Sequence, residues 1–102
     1  YVEEAARRID ATIVLKGHVD VIANSVYTSI NKTGSVFMTK GGMGDTLAGI
    51  AGALLARGVD SFTAACVACY VNGKAGEMAA KEKGESVTAS DLIKHIENAI
   101  KC

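Results

Sequence analysis

Proline and tryptophan are absent, and the aromatic residues are limited to three tyrosines and two phenylalanines. Net charge is missing too: 11 basic and 11 acidic side chains cancel. Neither a basic excess nor a like-charge block is present, which argues against a nucleic-acid partner or a membrane-surface footprint. Charge-free stretches such as Ser61–Gly73 fall short of the roughly 20 residues that cross a bilayer. No secretory signal pattern is visible. Three cysteines, an odd number, give no disulfide framework, so the expected location is the reducing cytoplasm. What the chain does have is 102 residues, 49% of them hydrophobic, and 11 glycines. That is enough for one domain at most, and the wrong composition for disorder. Glycines among many alanines point to close backbone packing. A chain that opens on Tyr1 rather than methionine is read as a processed chain or a piece of something longer.

Val2, Ala5, Ala6 and Ile9 recur at helical spacing opposite Glu3, Glu4, Arg7 and Arg8, the pattern of an amphipathic surface helix. Thr12–Leu15 is a short apolar run rich in β-branched residues, suited to a strand buried on both faces as in a parallel sheet. Val19–Ile22 and Val26–Ile30 read as a hairpin joined by Ala23-Asn24-Ser25, and Asn31–Gly44 as a loop. Thr46–Ala56 reads as a helix with an apolar stripe at Leu47, Ile50, Ala51, Leu54 and Leu55. Its other side carries Ala48, Gly49, Gly52, Ala53 and Ala56 and no charge, so it is expected to pack on more than one side. Gly58 is the expected stop of that helix. Ser61 is the expected cap of the next, which runs to about Lys83 and loosens near Gly73 and Gly76. Thr88 and Asp91 have capping-box spacing and open a last helix bearing Leu92, Ile93, Ile96 and Ile100. A few strands cannot cover three helices, so the chain reads as one end of a layered α/β domain whose other strands lie elsewhere.

The sharpest feature is Lys40-Gly41-Gly42-Met43-Gly44-Asp45-Thr46-Leu47-Ala48-Gly49. A glycine-rich turn feeding a helix leaves backbone N–H groups unpaired at the positive end of the helix dipole, which makes an anion site. A carboxylate at that spot, Asp45, would repel a phosphate unless it served as a base on a hydroxyl attacking phosphorus. The alternative is that Asp45 is simply an N-cap. No Lys-Ser/Thr pair follows the glycines, as a Walker A loop requires, and the dinucleotide fingerprint lacks its last glycine.

The run Gly41–Ile50 resembles the Gly-Gly-Thr-Gly-Asp-Val-Leu-(Ala/Thr)-Gly-Ile signature of the ADP/ATP-dependent NAD(P)H-hydrate dehydratases, of the ribokinase-like superfamily. Val14–Ile22 is similar to that family's strand–Lys-Gly–strand segment, and Asn31-Lys32-Thr33-Gly34 to the entry of its nucleotide loop. The small-residue helix around Tyr70–Gly76 and the turn Ala89–Ile93 also fit. The resemblance implies a three-layer α/β/α sandwich, with residues 1–102 the C-terminal portion of a single domain. It also implies a reaction in which ADP or ATP, with Mg2+, phosphorylates the ring hydroxyl of NADH or NADPH hydrate, and elimination restores the dihydropyridine. In that scheme Asp45 takes the hydroxyl proton. Lys16, Gly17, His18, Val19 and Asp20 line the nucleotide site, and Lys40, Gly41, Gly42, Met43 and Gly44 hold phosphate. The partners implied are the hydrate and the adenine nucleotide, together with a homo-oligomer or the missing N-terminal portion. Met43 departs from the signature's threonine, and Ser35–Lys40 replaces an Asn-Pro-Gly-Met-Ala-Thr style loop. A small-molecule kinase of the same superfamily and a non-catalytic nucleotide-binding fragment are the competing readings.

Among the remaining candidates, Cys66-Val67-Ala68-Cys69 has redox spacing. It lies within a helix rather than at a helix start, so both cysteines read as small core residues. His18 is read as solvent-facing or ribose-contacting, or else as structural. His95 is read as surface, Lys74 with Glu77 as a solvated helix pair, and Tyr70 as core or close to the nucleotide.

Overall fold

A computed structural model describes residues 1–38 and 41–101. Helix α1 (Val2–Ile9) leads into a three-stranded sheet, β1 (Ile13–Leu15), β2 (Asp20–Ala23) and β3 (Thr28–Asn31). After a short 3₁₀ turn at Val36–Met38 come α2 (Met43–Ala56), α3 (Ser61–Lys83), α4 (Ala89–Lys94) and α5 (Ile96–Ile100).

Helix α1 has Glu3 and Glu4 in its first turn and Arg7 and Arg8 in its last, the polarity that suits the helix dipole. Val2 and Ala6 are buried against Ala23 of β2, with Ile13 and Val21 packed alongside, whereas Ile9 stays 64% exposed. The sheet order is β1-β2-β3, antiparallel throughout, with Val14 opposite Ile22 and Asp20 opposite Asn31. The expectation of a doubly buried parallel strand at Thr12–Leu15 is therefore corrected. β1 is antiparallel to β2 and its Leu15 is exposed. An apolar run reports burial rather than direction, and the tight turn at Lys16–Val19 sends the chain straight back. The β2–β3 hairpin is present, but its turn is Asn24–Tyr27. There Asn24 Oδ1 accepts the Val26 and Tyr27 amides at 2.9 and 2.6 Å and holds Val26 out of the strand.

Alternation along β2 puts Val21 and Ala23 on the α1 face, and Asp20 and Ile22 on the opposite one. On that second face Asn31, Asp20's cross-strand partner, donates to the Cys69 carbonyl of α3. The sheet thus lies between α1 and α3, a three-layer α/β/α arrangement. The main core lies on the far side of α3, where Met43, Val71, Ala75, Ala79, Val87, Leu92 and Ala99 are buried together. Truncating Leu92 there costs about 2–5 kcal/mol by the usual core range.

α2 starts three residues before the expected Thr46, on Gly42 at φ 92°, and ends where Gly58 adopts φ 88°. The Gly58 amide bonds Leu55 O and the Val59 amide Leu54 O, the Schellman pairing expected of that glycine. Only Met43 of α2 is buried, and Ala48, Gly49, Gly52, Ala53 and Ala56 are exposed. The expectation of packing on more than one side does not hold for that small-residue side among the described residues, because α4 and α5 only border an open groove along Gly49 and Ala53 and nothing fills it. α3 is capped by Asp60, whose carboxylate accepts the Thr63 amide at 3.1 Å, not by Ser61, whose hydroxyl instead pairs with Thr12 at 2.7 Å. α3 runs unbroken through Gly73 and Gly76. The expected last helix is two, broken at His95. The Thr88–Asp91 capping box that opens it is present.

Candidate functional site

The turn after β1, the segment after β3 and the start of α2 converge on one open cleft of about 810 Å³. Lys16, Gly17, His18, Val19 and Asp20 form one wall, Lys32–Val36 a second, and Met43, Gly44, Asn72 and Gly73 the floor. Seven of the eleven residues assigned a site role from sequence, Lys16–Asp20 with Met43 and Gly44, therefore share one cavity although up to 28 positions separate them. Gly42 and Asp45 instead line a second, mostly apolar groove of about 540 Å³, with Thr46, Gly49, Ile50, Ala89 and Ile93. Gly41 is exposed and lines neither, and Lys40 lies outside the described residues. The first turn of α2 is the partition between the two cavities. Gly44 faces one and Asp45 the other.

That turn is open. Its N-cap is Gly42 and no side chain caps it, so its leading N–H groups are without helix carbonyls and carry the positive end of the dipole. The N-cap alternative for Asp45 is thereby overturned. Asp45 is the third residue of the helix, exposed, with no hydrogen-bond or ion-pair partner among the described residues. A β-carbon on Gly44 would meet nothing within 4 Å, so packing among the described residues does not require glycine at that point of the cleft.

The walls are tied to α3 by side chains whose partners sequence reasoning did not give, and one of them, Asn72, it did not single out. Asn72, 2% exposed, places Oδ1 2.7 Å from Thr46 Oγ1 and Nδ2 3.4 Å from the Met43 carbonyl, fixing the start of α2. Thr33 donates to Asn31 Oδ1 at 3.0 Å, and its hydroxyl lies 3.2 Å from the Tyr70 carbonyl. Glu77 accepts the Gly34 amide at 2.8 Å while its other oxygen lies 3.4 Å from Lys74 Nζ. The solvated-pair reading of Lys74 and Glu77 is thus incomplete, since Glu77 also anchors the second wall. Gly73 admits that wall, because a β-carbon there would overlap the Thr33 side chain and come within 2.8 Å of its carbonyl carbon. A buried asparagine on a small-residue helix was the one available sequence signal, because a buried amide needs partners.

Three further expectations change. His95 is not a surface residue: it is half-buried and its Nε2 lies 3.1 Å from Glu82 Oε2, joining the α4–α5 break to α3. Tyr70 is 41% exposed, so it is not core; it lines neither cavity, and only its carbonyl reaches the cleft wall, at Thr33. Cys69 is buried and Cys66 partly so; burial pushes the Cys69 thiol up to about 11, fitting a packing role.

Comparison with known proteins places this arrangement. The family model described as NAD(P)H-hydrate dehydratase matches residues 1–98. A bifunctional NAD(P)H-hydrate repair enzyme of Hyperthermus butylicus is 47% identical over 97 residues, covering 95% of this chain and 18% of that protein. An ADP-dependent (S)-NAD(P)H-hydrate dehydratase of Cenarchaeum symbiosum is 42% identical over 100 residues, covering 98% of this chain and 35% of that one. The ADP/ATP-dependent NAD(P)H-hydrate dehydratase of Bacillus subtilis, co-crystallised with ATP and Mg2+, superposes with a TM-score of 0.90 at 32% identity. That superposition covers 99% of this chain and 37% of the other. The chain therefore corresponds to part of a ribokinase-like fold and spans about a fifth to a third of these curated relatives.

Proposed function

We propose that this chain, which belongs to the NAD(P)H-hydrate dehydratase family, supplies the nucleotide cleft and the reacting carboxylate of an enzyme that dehydrates NADH or NADPH hydrate at the expense of ADP or ATP. We take residues 1–102 as the C-terminal portion of one domain, working in a reducing compartment in which Cys66 and Cys69 stay free thiols. No helix among the described residues is long and apolar enough to cross a membrane.

One observation carries the reading: a single uncapped helix turn separates the two cavities, with Gly44 on one side and Asp45 on the other. Nucleotide in the larger cleft would bring its terminal phosphate to the open amides of α2. The hydrate's ring would lie in the apolar groove beside Ile50 and Ile93, its hydroxyl toward Asp45. The Asp45 carboxylate takes the hydroxyl proton as the oxygen attacks phosphorus, while the amides stabilise the charge on the transferring phosphoryl. The attack breaks the phosphorus–oxygen bond to the rest of the nucleotide, releasing AMP from ADP or ADP from ATP. The new ester then expels phosphate with the carbon–oxygen electron pair while the neighbouring ring carbon loses a proton, which restores the dihydropyridine. Mg2+ would supply charge neutralisation on the phosphates. It would be held chiefly by the nucleotide's own phosphate oxygens.

The test is hydrate turnover by the full-length protein, followed through the absorbance of the regenerated dihydronicotinamide. Asp45→Asn should lower kcat by about 10²–10⁴-fold, with ADP affinity largely kept. A near-normal rate would remove Asp45 from the chemistry, and a phosphorylated product without dihydronicotinamide would make the protein a kinase instead.

A further inference from the structure

Two lysines line the nucleotide cleft, and the structure gives them different surroundings. The Lys16 ammonium lies 3.1 Å from Asp20 Oδ2, and the Asp20 side chain is only 5% exposed. The same carboxylate accepts the Gly17 amide at 3.3 Å and Asn31 Nδ2 at 3.0 Å, and Asn31 in turn donates to the Cys69 carbonyl at 3.2 Å. A buried carboxylate that loses its counter-charge destabilises the fold strongly, and Lys16 is the cation beside this one. An anion drawn to Lys16 would also be brought toward Asp20. Lys32, on the facing wall, is exposed and has no hydrogen bond or ion pair among the described residues.

Resting on the function proposed above, we infer that Lys32 is the lysine that pairs with the phosphate of the bound nucleotide. Lys16 and Asp20 are instead a positioning pair that fixes the turn forming the opposite wall. Asp20, three of whose contacts are already made within the protein, acts through Lys16, Gly17 and Asn31 and does not touch the ligand.

Calorimetric titration of the full-length protein with ADP and with adenosine, at low and raised salt, separates the roles. Lys32→Gln should weaken ADP binding about five- to tenfold, flatten its salt dependence and leave adenosine binding unchanged. Lys32→Arg should restore most of the ADP affinity. Lys16→Gln should lower the unfolding temperature and weaken ADP and adenosine by the same factor. The inference is overturned if Lys32→Gln keeps ADP affinity within twofold, if it weakens adenosine equally, or if Lys16→Gln is the variant that loses ADP selectively. Lys32 is exposed, so its arm stands even if Lys16→Gln does not fold. ADP binding without hydrate turnover in the unmodified protein would remove the functional reading alone, leaving the two lysines to be judged on binding. No ADP binding would remove both.

Discussion

Helices α2 and α3 are both rich in glycine and alanine, but their glycines answer to different neighbours. In α3 they are required by the protein itself. A β-carbon on Gly73 would run into Thr33, and one on Gly76 into the Met38 side chain. In α2 a β-carbon on Gly44, Gly49 or Gly52 would meet nothing within 4 Å. Glycine costs about 1 kcal/mol relative to alanine within a helix, and in α3 close packing of the cleft wall offsets that cost. In α2 nothing within the described residues does: Gly44 and Gly49 each border a cavity, and Gly52 faces open space. The helix starts differ in the same sense. α3 and α4 begin on side-chain caps, while α2 begins uncapped on Gly42.

Gly73→Ala should break this comparison most visibly. The new methyl meets Thr33 backbone as well as its side chain, and backbone cannot swing aside. A loss of about 1–3 kcal/mol in denaturant-derived stability is expected, together with weaker nucleotide binding as the Lys32–Val36 wall is pushed out. Gly76→Ala should cost less, because the atoms it meets belong to the flexible Met38 side chain. Equal losses at the two positions would show that the wall, not the contact, yields.

At Gly44 the expected outcome reverses. Gly44→Ala should leave the unfolding midpoint unchanged or slightly raised, yet lower ADP affinity by about tenfold or more, since the methyl stands where phosphate approaches the helix amides. Thermal unfolding with and without ADP reads both at once. Unaltered ligand stabilisation would place the anion elsewhere.

The sequence made one half of this comparison readable and hid the other. The helix and strand periods, the Thr88–Asp91 box, the Gly58 stop and the glycine-rich helix start are local, and local chemistry is visible in a string of residues. Strand direction at Thr12–Leu15, the caps at Asp60 and Gly42, and the break at His95 depend on a few backbone angles or on partners far along the chain. Asn72 escaped, and the contacts of Thr33 and Glu77 were not foreseen, for the same reason. Each looks like an ordinary polar residue until the fold sets it against Met43, Asn31 or Gly34. The uncharged side of α2 was legible, but the expectation that it is buried did not follow: among the described residues that side is exposed.

Gly52→Ala sharpens that last point. In the 102-residue chain it should raise stability by up to about 1 kcal/mol through helix propensity alone. In the full-length protein we expect the sign to change, because a polypeptide packed close on this face would meet the added methyl. Chemical denaturation of both lengths decides it. Stabilisation in both would mean the face stays open, and the small residues of α2 would lose their explanation.

The smallest effect belongs to the capped helices. The Thr63 side chain and amide hold the Asp60 carboxyl below the usual carboxylate range, and bonds from the Thr88 amide and hydroxyl do the same for Asp91. A depressed folded pKa means that the charged form is the one favoured by folding. Its stabilisation is complete above the ordinary carboxylate pKa and is lost as pH falls through the lowered values. Stability should therefore decline on acidification, and Asp60→Asn and Asp91→Asn should each remove part of that slope while leaving neutral-pH nucleotide binding intact. An unchanged slope in both variants would assign the acid sensitivity to another carboxylate, with Glu4, held low by its hydrogen bonds from Arg7 and Arg8, the next to substitute.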